Sequence, residues 1–171
     1  MKQSKANVYE IPSDKLGQSL EQCFYSALNF WQGGKYAAEK GGLQIAVGLW
    51  ILALEEVGKH VLLQEAAAEA DKKGKLIVRV HDFMDHTLKA EKGRTLFSKW
   101  GIDLARPNIP LTNKTRTGLW FVTWDDTRQE FRREFDRLDP YPIAKALELE
   151  ELMRQGLNRL QELKRTSSII T

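Results

Sequence analysis

The stretch "ILALEEVGKHVLL", residues 51–63, decides how the chain folds. It lies deep in an apolar run, and it places Glu55, Glu56, Lys59 and His60 inside that run. Read as a helix at about 100° per residue, with Glu55 at zero, Lys59 falls near 40°, Glu56 near 100° and His60 near 140°. On the same wheel Leu52 lies at about 60°, Ile45 and Leu63 at about 80°, and Leu49 at about 120°. The ionisable groups therefore sit within the apolar face, where a surface helix would have set them opposite it. Charges taken out of water cost free energy unless they pair. The spacing offers the pairs Glu55–Lys59, Glu56–Lys59 and Glu56–His60. A structural salt-bridge cluster and a working polar pocket both satisfy this pattern.

Helical spacing extends outward from that segment. Leu20, Phe24, Ala27, Leu28 and Trp31 recur at intervals of three and four, predicting a helix over Gly17–Trp31. "QGGK", residues 32–35, reads as its end, with Gly33 or Gly34 as the left-handed residue. A second helix is expected over Tyr36–Glu69, then the polar connection "EADKKGK", then a third helix over Leu76–Glu91 with Gly93 as its stop. Residues 125–138 read as a charged helix with Phe131, Phe135 and Leu138 on one face. A last helix, Ile143–Lys164, carries the inner stripe Leu149, Leu152, Met153, Leu160 and Leu163. Between them, residues 93–125 contain Pro107, Pro110 and "TNKTRTG", which preclude one continuous helix. "LWFVTW", residues 119–124, suits a short strand. The reading is all-α: a bundle of about five helices, with a long, partly structured insertion near residues 93–125. Residues 1–16 form an N-terminal arm, and residues 17–171 a single helical domain.

Two groups of side chains stand out. In "RVHDFMDH", residues 79–86, one continuous helix would bring Arg79 and His86 within about 20° of one another, about 10 Å apart along its axis. Asp82 would lie one turn from each, placed to orient His86, while His81 would point elsewhere. Arg holds a phosphate through two hydrogen bonds, and His passes protons near neutral pH. The second group is basic. Lys89, Lys92, Arg94, Lys99, Arg106, Lys114 and Arg116 are opposed between residues 89 and 116 only by Glu91 and Asp103, although the whole chain carries a formal net charge of just +3. This is either a solvated segment or a phosphate-binding surface.

The bulk properties narrow the classes. One cysteine, Cys23, rules out an intramolecular disulfide and a thiolate metal cluster within the chain. The polar N-terminal stretch lacks the apolar core of a signal peptide. The longest apolar run, Leu43–Leu54, is short of the roughly 20 residues of a membrane span. A cytoplasmic protein without a membrane segment is expected.

"GGKYAAEKGGLQIAVGLWILALEEVGKHVLL" followed by "HDFMDHTLKAEKG" resembles the AbiV-type abortive-infection family of the HEPN superfamily of helical domains. Gly34-Lys35-Tyr36, "ALEEVGK" at 53–59, "HTLK" at 86–89 and Asn29 carry the resemblance. It is clear over about residues 17–92 and weaker through "TGLWFVTW", where Trp120 and Phe121 depart from the family pattern. The resemblance implies a HEPN-like bundle and a role in phage defence through interference with translation. The superfamily's Arg, four to six residues, then His is matched by Arg79 and His86. In active members that motif cuts RNA without metal, and two copies meet across a homodimer. Glu55, Glu56 and Lys59 are the implied completing residues.

From this follow the functional expectations: a metal-independent endoribonuclease with no cofactor, Arg79, His86, Glu55, Glu56 and Lys59 at its centre, and Lys89, Lys92, Arg94, Lys114 and Arg116 against RNA. The partners expected are RNA or the translation machinery, a phage-encoded activator and a second copy of the chain. The alternative is a non-catalytic binding module that inhibits translation or senses a phage protein directly. A di-metal bundle would need a second Glu–His pair beside Glu56 and His60. A nucleotidyl acceptor would need Tyr36 or Tyr141 near the Arg–His face.

Overall fold

The computed structural model describes residues 8–70, 75–111, 122–125, 130–133 and 143–167. The described elements, in chain order, are β1 (Val8–Pro12), a short 3-10 turn (Ser13–Lys15), α1 (Leu16–Glu39), α2 (Leu43–Ala68), β2 (Lys75–Arg79), α3 (Val80–Met84), α4 (His86–Lys99), β3 (Val122–Asp125), β4 (Glu130–Arg133) and α5 (Ile143–Ser167). Helix dominates, as the apolar spacing predicts.

α2 is the central helix. Val47, Trp50, Ile51, Leu54, Val57 and Leu63 are all buried, and they point to several sides. A helix apolar around its whole circumference is enclosed by neighbours, which resolves why its charges have no outer face to occupy. α1 lies antiparallel beside it, and α4 and α5 close the remaining sides. The main core joins Trp50 and Leu54 to Phe97 of α4 and to Leu149, Met153 and Leu157 of α5. Of the stripe expected on α5, Leu149, Leu152, Met153 and Leu160 are buried, whereas Leu163 is exposed.

The helix ends differ from those expected. α1 runs through Gly33 and Gly34, because Gly34 is a contact point: a Cβ there would stand 2.4 Å from Trp50 Nε1. The turn comes at Gly41, with φ at +79°. There Gly42 N–H donates to Ala37 O at 2.8 Å and Gly41 N–H to Ala38 O at 3.0 Å, the paired closure of a Schellman end. Gly93 is likewise no stop. It sits in mid-α4, where a Cβ would be 2.6 Å from Leu54 O, and Gly101 (φ +77°) follows the helix end instead.

The third helix is also corrected. Residues 75–79 are a strand, pairing antiparallel with β1 so that Val8 faces Arg79 and Pro12 faces Lys75. Leu76 and Val78 are buried and Ile77 is exposed, the alternation of a half-buried strand. With Cys23 and Leu63, Val78 forms a second, smaller core. Residues 8–12, read as part of a loose arm, are thus tied into a sheet. One helical turn, α3, follows, and the chain extends at Asp85 (φ −75°, ψ 104°) before α4 begins.

Residues 93–99 belong to α4, and the expected insertion is compact up to residue 111, with Ile102, Leu104, Ile109 and Leu111 buried in the main core. β3 pairs with β4, Trp124 facing Phe131, so a hairpin strand occupies residues 130–133 where a charged helix was expected. The rest of residues 125–138 lies outside the described residues. Among the described residues no helix is long and apolar enough to cross a membrane.

Candidate functional site

The seam between α2 and α4 is set by two glycines. A Cβ at Gly58 would lie 1.8 Å from Lys89 O, and one at Gly93 2.6 Å from Leu54 O. Each helix therefore touches the other's backbone. That closeness brings the first turn of α4 over Glu55, whose side chain is only 3% exposed. Asp85 fixes the start of α4: its Oδ1 accepts from Thr87 N–H at 2.9 Å and Leu88 N–H at 3.0 Å. These backbone bonds, that to Leu88 first, hold the Asp85 carboxyl below its usual pKa.

Three charged or titratable side chains meet at the seam. His86 Nδ1 lies 2.6 Å from Glu55 Oε2. Lys89, one turn further along α4 and 5% exposed, places Nζ 3.7 Å from the same oxygen. A carboxylate only accepts, so Nδ1 carries the hydrogen in this contact. The neutral imidazole then has its lone pair on Nε2, and the His86 side chain is 36% exposed. The contact orients a ring that is partly open to solvent, a geometry compatible with proton transfer.

Arg79 stands apart from this cluster. It ends β2, its side chain is 76% exposed, and its partner among the described residues is Asp82, Nε to Oδ2 3.9 Å. The continuous helix expected to carry Arg79 and His86 does not exist. Asp82 faces Arg79 and His81, while Glu55 takes the orienting role expected of Asp82.

The group on α2 divides as well. Glu56 pairs with Lys59, Oε1 to Nζ 2.5 Å. This pair lies beside Cys23 of α1, whose thiol is pushed up to about 11 by burial first and by the Glu56 carboxylate second. His60 faces α1 too and donates from Nδ1 to Leu20 O at 3.2 Å. Of the expected RNA contacts, Lys89 is buried at the seam, Lys92 binds both oxygens of Glu65 at 2.6 and 2.7 Å, and Arg94 is exposed. Lys114 and Arg116 lie outside the described residues, as does Tyr141; Tyr36 is exposed near the end of α1. Among the described residues no three His, Cys, Asp or Glu side chains converge as a metal site.

A family model described as AbiV, of the HEPN group, matches residues 18–167. The chain belongs to the AbiV family of HEPN proteins. No curated protein and no solved structure matches it. The matched span takes in α1, α2, α4 and α5, and thus the whole α2–α4 seam. Sequence reasoning on this AbiV chain expected Glu55 or Glu56 to position Arg79 or His86 across the helix pair, and the structure pairs Glu55 with His86. Lys89 was read as a surface cation, since its spacing within a basic run hides its burial. The missed signals were Asp85 as a cap and Gly93 as a point of helix contact.

Proposed function

We propose that this AbiV-family chain acts in phage defence as a metal-independent endoribonuclease in which His86 moves the proton. The observation that carries the reading is the 2.6 Å contact between His86 Nδ1 and buried Glu55. A carboxylate behind an imidazole sets the tautomer and stabilises the imidazolium formed when the outer nitrogen takes a proton. In the proposed reaction Nε2 of His86 accepts the hydrogen of an RNA 2′-hydroxyl. That oxygen attacks the adjacent phosphorus, the bond from phosphorus to the 5′-oxygen breaks, and the proton passes to the leaving oxygen. The products are a 2′,3′-cyclic phosphate and a 5′-hydroxyl. Arg79 supplies charge to the phosphate in the transition state. Lys89 and Glu55 are positioning residues, while Glu56 and Lys59 pair with each other beside α1 and stand outside this step. Single-stranded or looped RNA, whose phosphates and 2′-hydroxyls are splayed out, is the accessible substrate. A two-fold dimer would bring two Arg–His faces onto one strand.

The exposure of Arg79 and its pairing with Asp82 favour one other reading, a binding module that blocks translation or senses a phage protein through this face without cleaving RNA. One experiment separates the two. His86→Ala, folded as judged by circular dichroism and melting, is assayed for RNA cleavage and for phage restriction. Loss of both supports the nuclease. Restriction that persists without cleavage supports the binding module, and cleavage that persists removes His86 from the mechanism.

A further inference from the structure

On the opposite side of α2 from Glu55 lies a cleft of about 530 Å³ where α1, α2, the end of α4 and α5 converge. Its walls are mainly apolar: Leu20 and Phe24 of α1, Leu96 and Trp100 from α4 and its cap, and Leu160 of α5. Trp100 stacks one face on Phe97, centroids 5.8 Å apart at 27°, and is held as a rigid wall. Such a volume lies within the range of small-ligand sites, about 300–1,000 Å³. A Cβ at Gly17, on the rim, would meet nothing within 4 Å, so the mouth is open there.

The polar groups of the cleft restrict what it accepts. Lys164 reaches across the rim to Glu21, Nζ to Oε1 2.6 Å, and also lies over the rings of Phe24 and Tyr25 at 5.7 and 4.9 Å. The two rim charges therefore neutralise each other. His60 is 8% exposed and lines the floor. Its Nδ1 contacts a carbonyl, Leu20 O, which can only accept, so that nitrogen carries the hydrogen. Burial, the largest influence, draws the ring's pKa below the usual histidine value, and the imidazole stays neutral. Nε2 then presents a lone pair, and no side chain or backbone group among the described residues donates to it. His60 lines the cleft, so a donor held there can reach that lone pair.

We propose that this cleft binds a small, uncharged aromatic molecule of one or two rings that donates a single N–H or O–H to His60 Nε2, with indole as its simplest representative. The apolar walls take the ring, the neutralised rim gives no reward to an ionic group, and His60 selects for the donor. The site is separate from the His86 face and stands whether or not the chain cleaves RNA.

The test uses the full chain and two probes of the same shape, indole and benzofuran, which replaces the N–H by an oxygen. Binding is followed by calorimetry and by amide shifts in ¹H–¹⁵N spectra. The expected result is saturable indole binding, shifts centred on residues 20–24, 60–64, 96–100 and 160–164, and benzofuran at least about fivefold weaker, the worth of one net hydrogen bond. Leu163→Trp narrows the exposed rim without entering the core; it should weaken indole at least about tenfold, as a filled pocket does, with an unchanged melting temperature. Equal affinity for the two probes overturns the role of His60. Absence of saturable indole binding up to millimolar concentration, or binding that Leu163→Trp leaves intact, overturns the site.

Discussion

His86 and Arg79 are seven positions apart in the chain, yet they live in opposite surroundings. His86 belongs to the α2–α4 seam, where the helices touch through backbone and the ring is clamped to a buried carboxylate. Arg79 belongs to the β1–β2 sheet, at the exposed end of a strand, with one long contact to Asp82. The seam is pre-organised, while the sheet end presents a long, mobile type of side chain to solvent. A spacing motif names the residue types for phosphate chemistry, but packing decides which of them is held. In this AbiV chain the imidazole is built into the fold, and the guanidinium stands exposed at its edge.

The largest expected effect comes from removing the centre of the seam. Glu55→Ala leaves Lys89 buried without its neighbouring carboxylate and should cost about 3–5 kcal/mol in unfolding free energy, read from urea denaturation. It also releases the His86 ring, so any RNA cleavage should fall with it. A loss under about 1 kcal/mol would mean that the seam is wetter than its geometry implies. Next comes Gly58→Ala. The added methyl would meet Lys89 O at 1.8 Å, so α2 and α4 must separate, at an expected cost of about 1–3 kcal/mol or more. The informative contrast is Gly33→Ala. There the nearest atom is Leu49 Cδ1 at 3.6 Å, ordinary contact distance, and the helix propensity gain of about 1 kcal/mol should raise the melting temperature.

The same contrast explains how much could be read from sequence. The long helices were legible because three-and-four spacing survives in α1, α2 and α5. The buried charges of α2 were legible as a conflict with its apolar face. The break between Arg79 and His86 was not, because Leu76, Ile77 and Val78 fit the start of a helix as well as a five-residue strand. What tips them is β1, a pairing partner more than sixty residues away, and long-range pairing leaves no local mark. Gly34 and Gly93, which read as helix ends, are helix contacts instead, for a related reason. A glycine that ends a helix and one that admits a neighbouring helix are the same letter, and Gly41 differs from them only in its φ. Lys89 shows the limit for the site: a cation in a basic run and a cation buried against Glu55 have identical sequence surroundings.

His60 gives a smaller effect, and one that depends on pH. Its folded pKa is depressed, burial being the first cause, so below its unfolded value of 6.5 the unfolded chain binds more protons than the folded one. This contribution to stability is full above pH 6.5 and is lost progressively as pH falls toward the lower folded value. Melting measured from pH 7.5 to 5 should therefore show a decline that His60→Gln flattens. The Asp85 carboxyl, also depressed, begins to contribute its own loss only as pH drops below the ordinary carboxylate value of 3.8. The two groups are thus separable by range. A flat profile between pH 7.5 and 5 in the unmodified chain would count against a buried neutral His60.

The smallest expected change in stability is at Arg79, and it bears most directly on function. An exposed side chain with a 3.9 Å contact contributes little to folding, so Arg79→Ala should move unfolding free energy by no more than about 0.5 kcal/mol. If the guanidinium is recruited to the phosphate, RNA cleavage should nevertheless fall by about a hundredfold or more, the scale of losing a transition-state donor. Arg79→Lys keeps the charge but loses the two-pronged hydrogen bonding, so partial recovery there would identify charge as the larger part of its role. Cleavage unchanged in Arg79→Ala would detach the sheet end from the chemistry and leave the His86 seam to account for it without that cation. Lost phage restriction with unchanged cleavage would instead assign Arg79 to partner recognition, making the exposed sheet end a recognition surface beside a separately organised proton-transfer group.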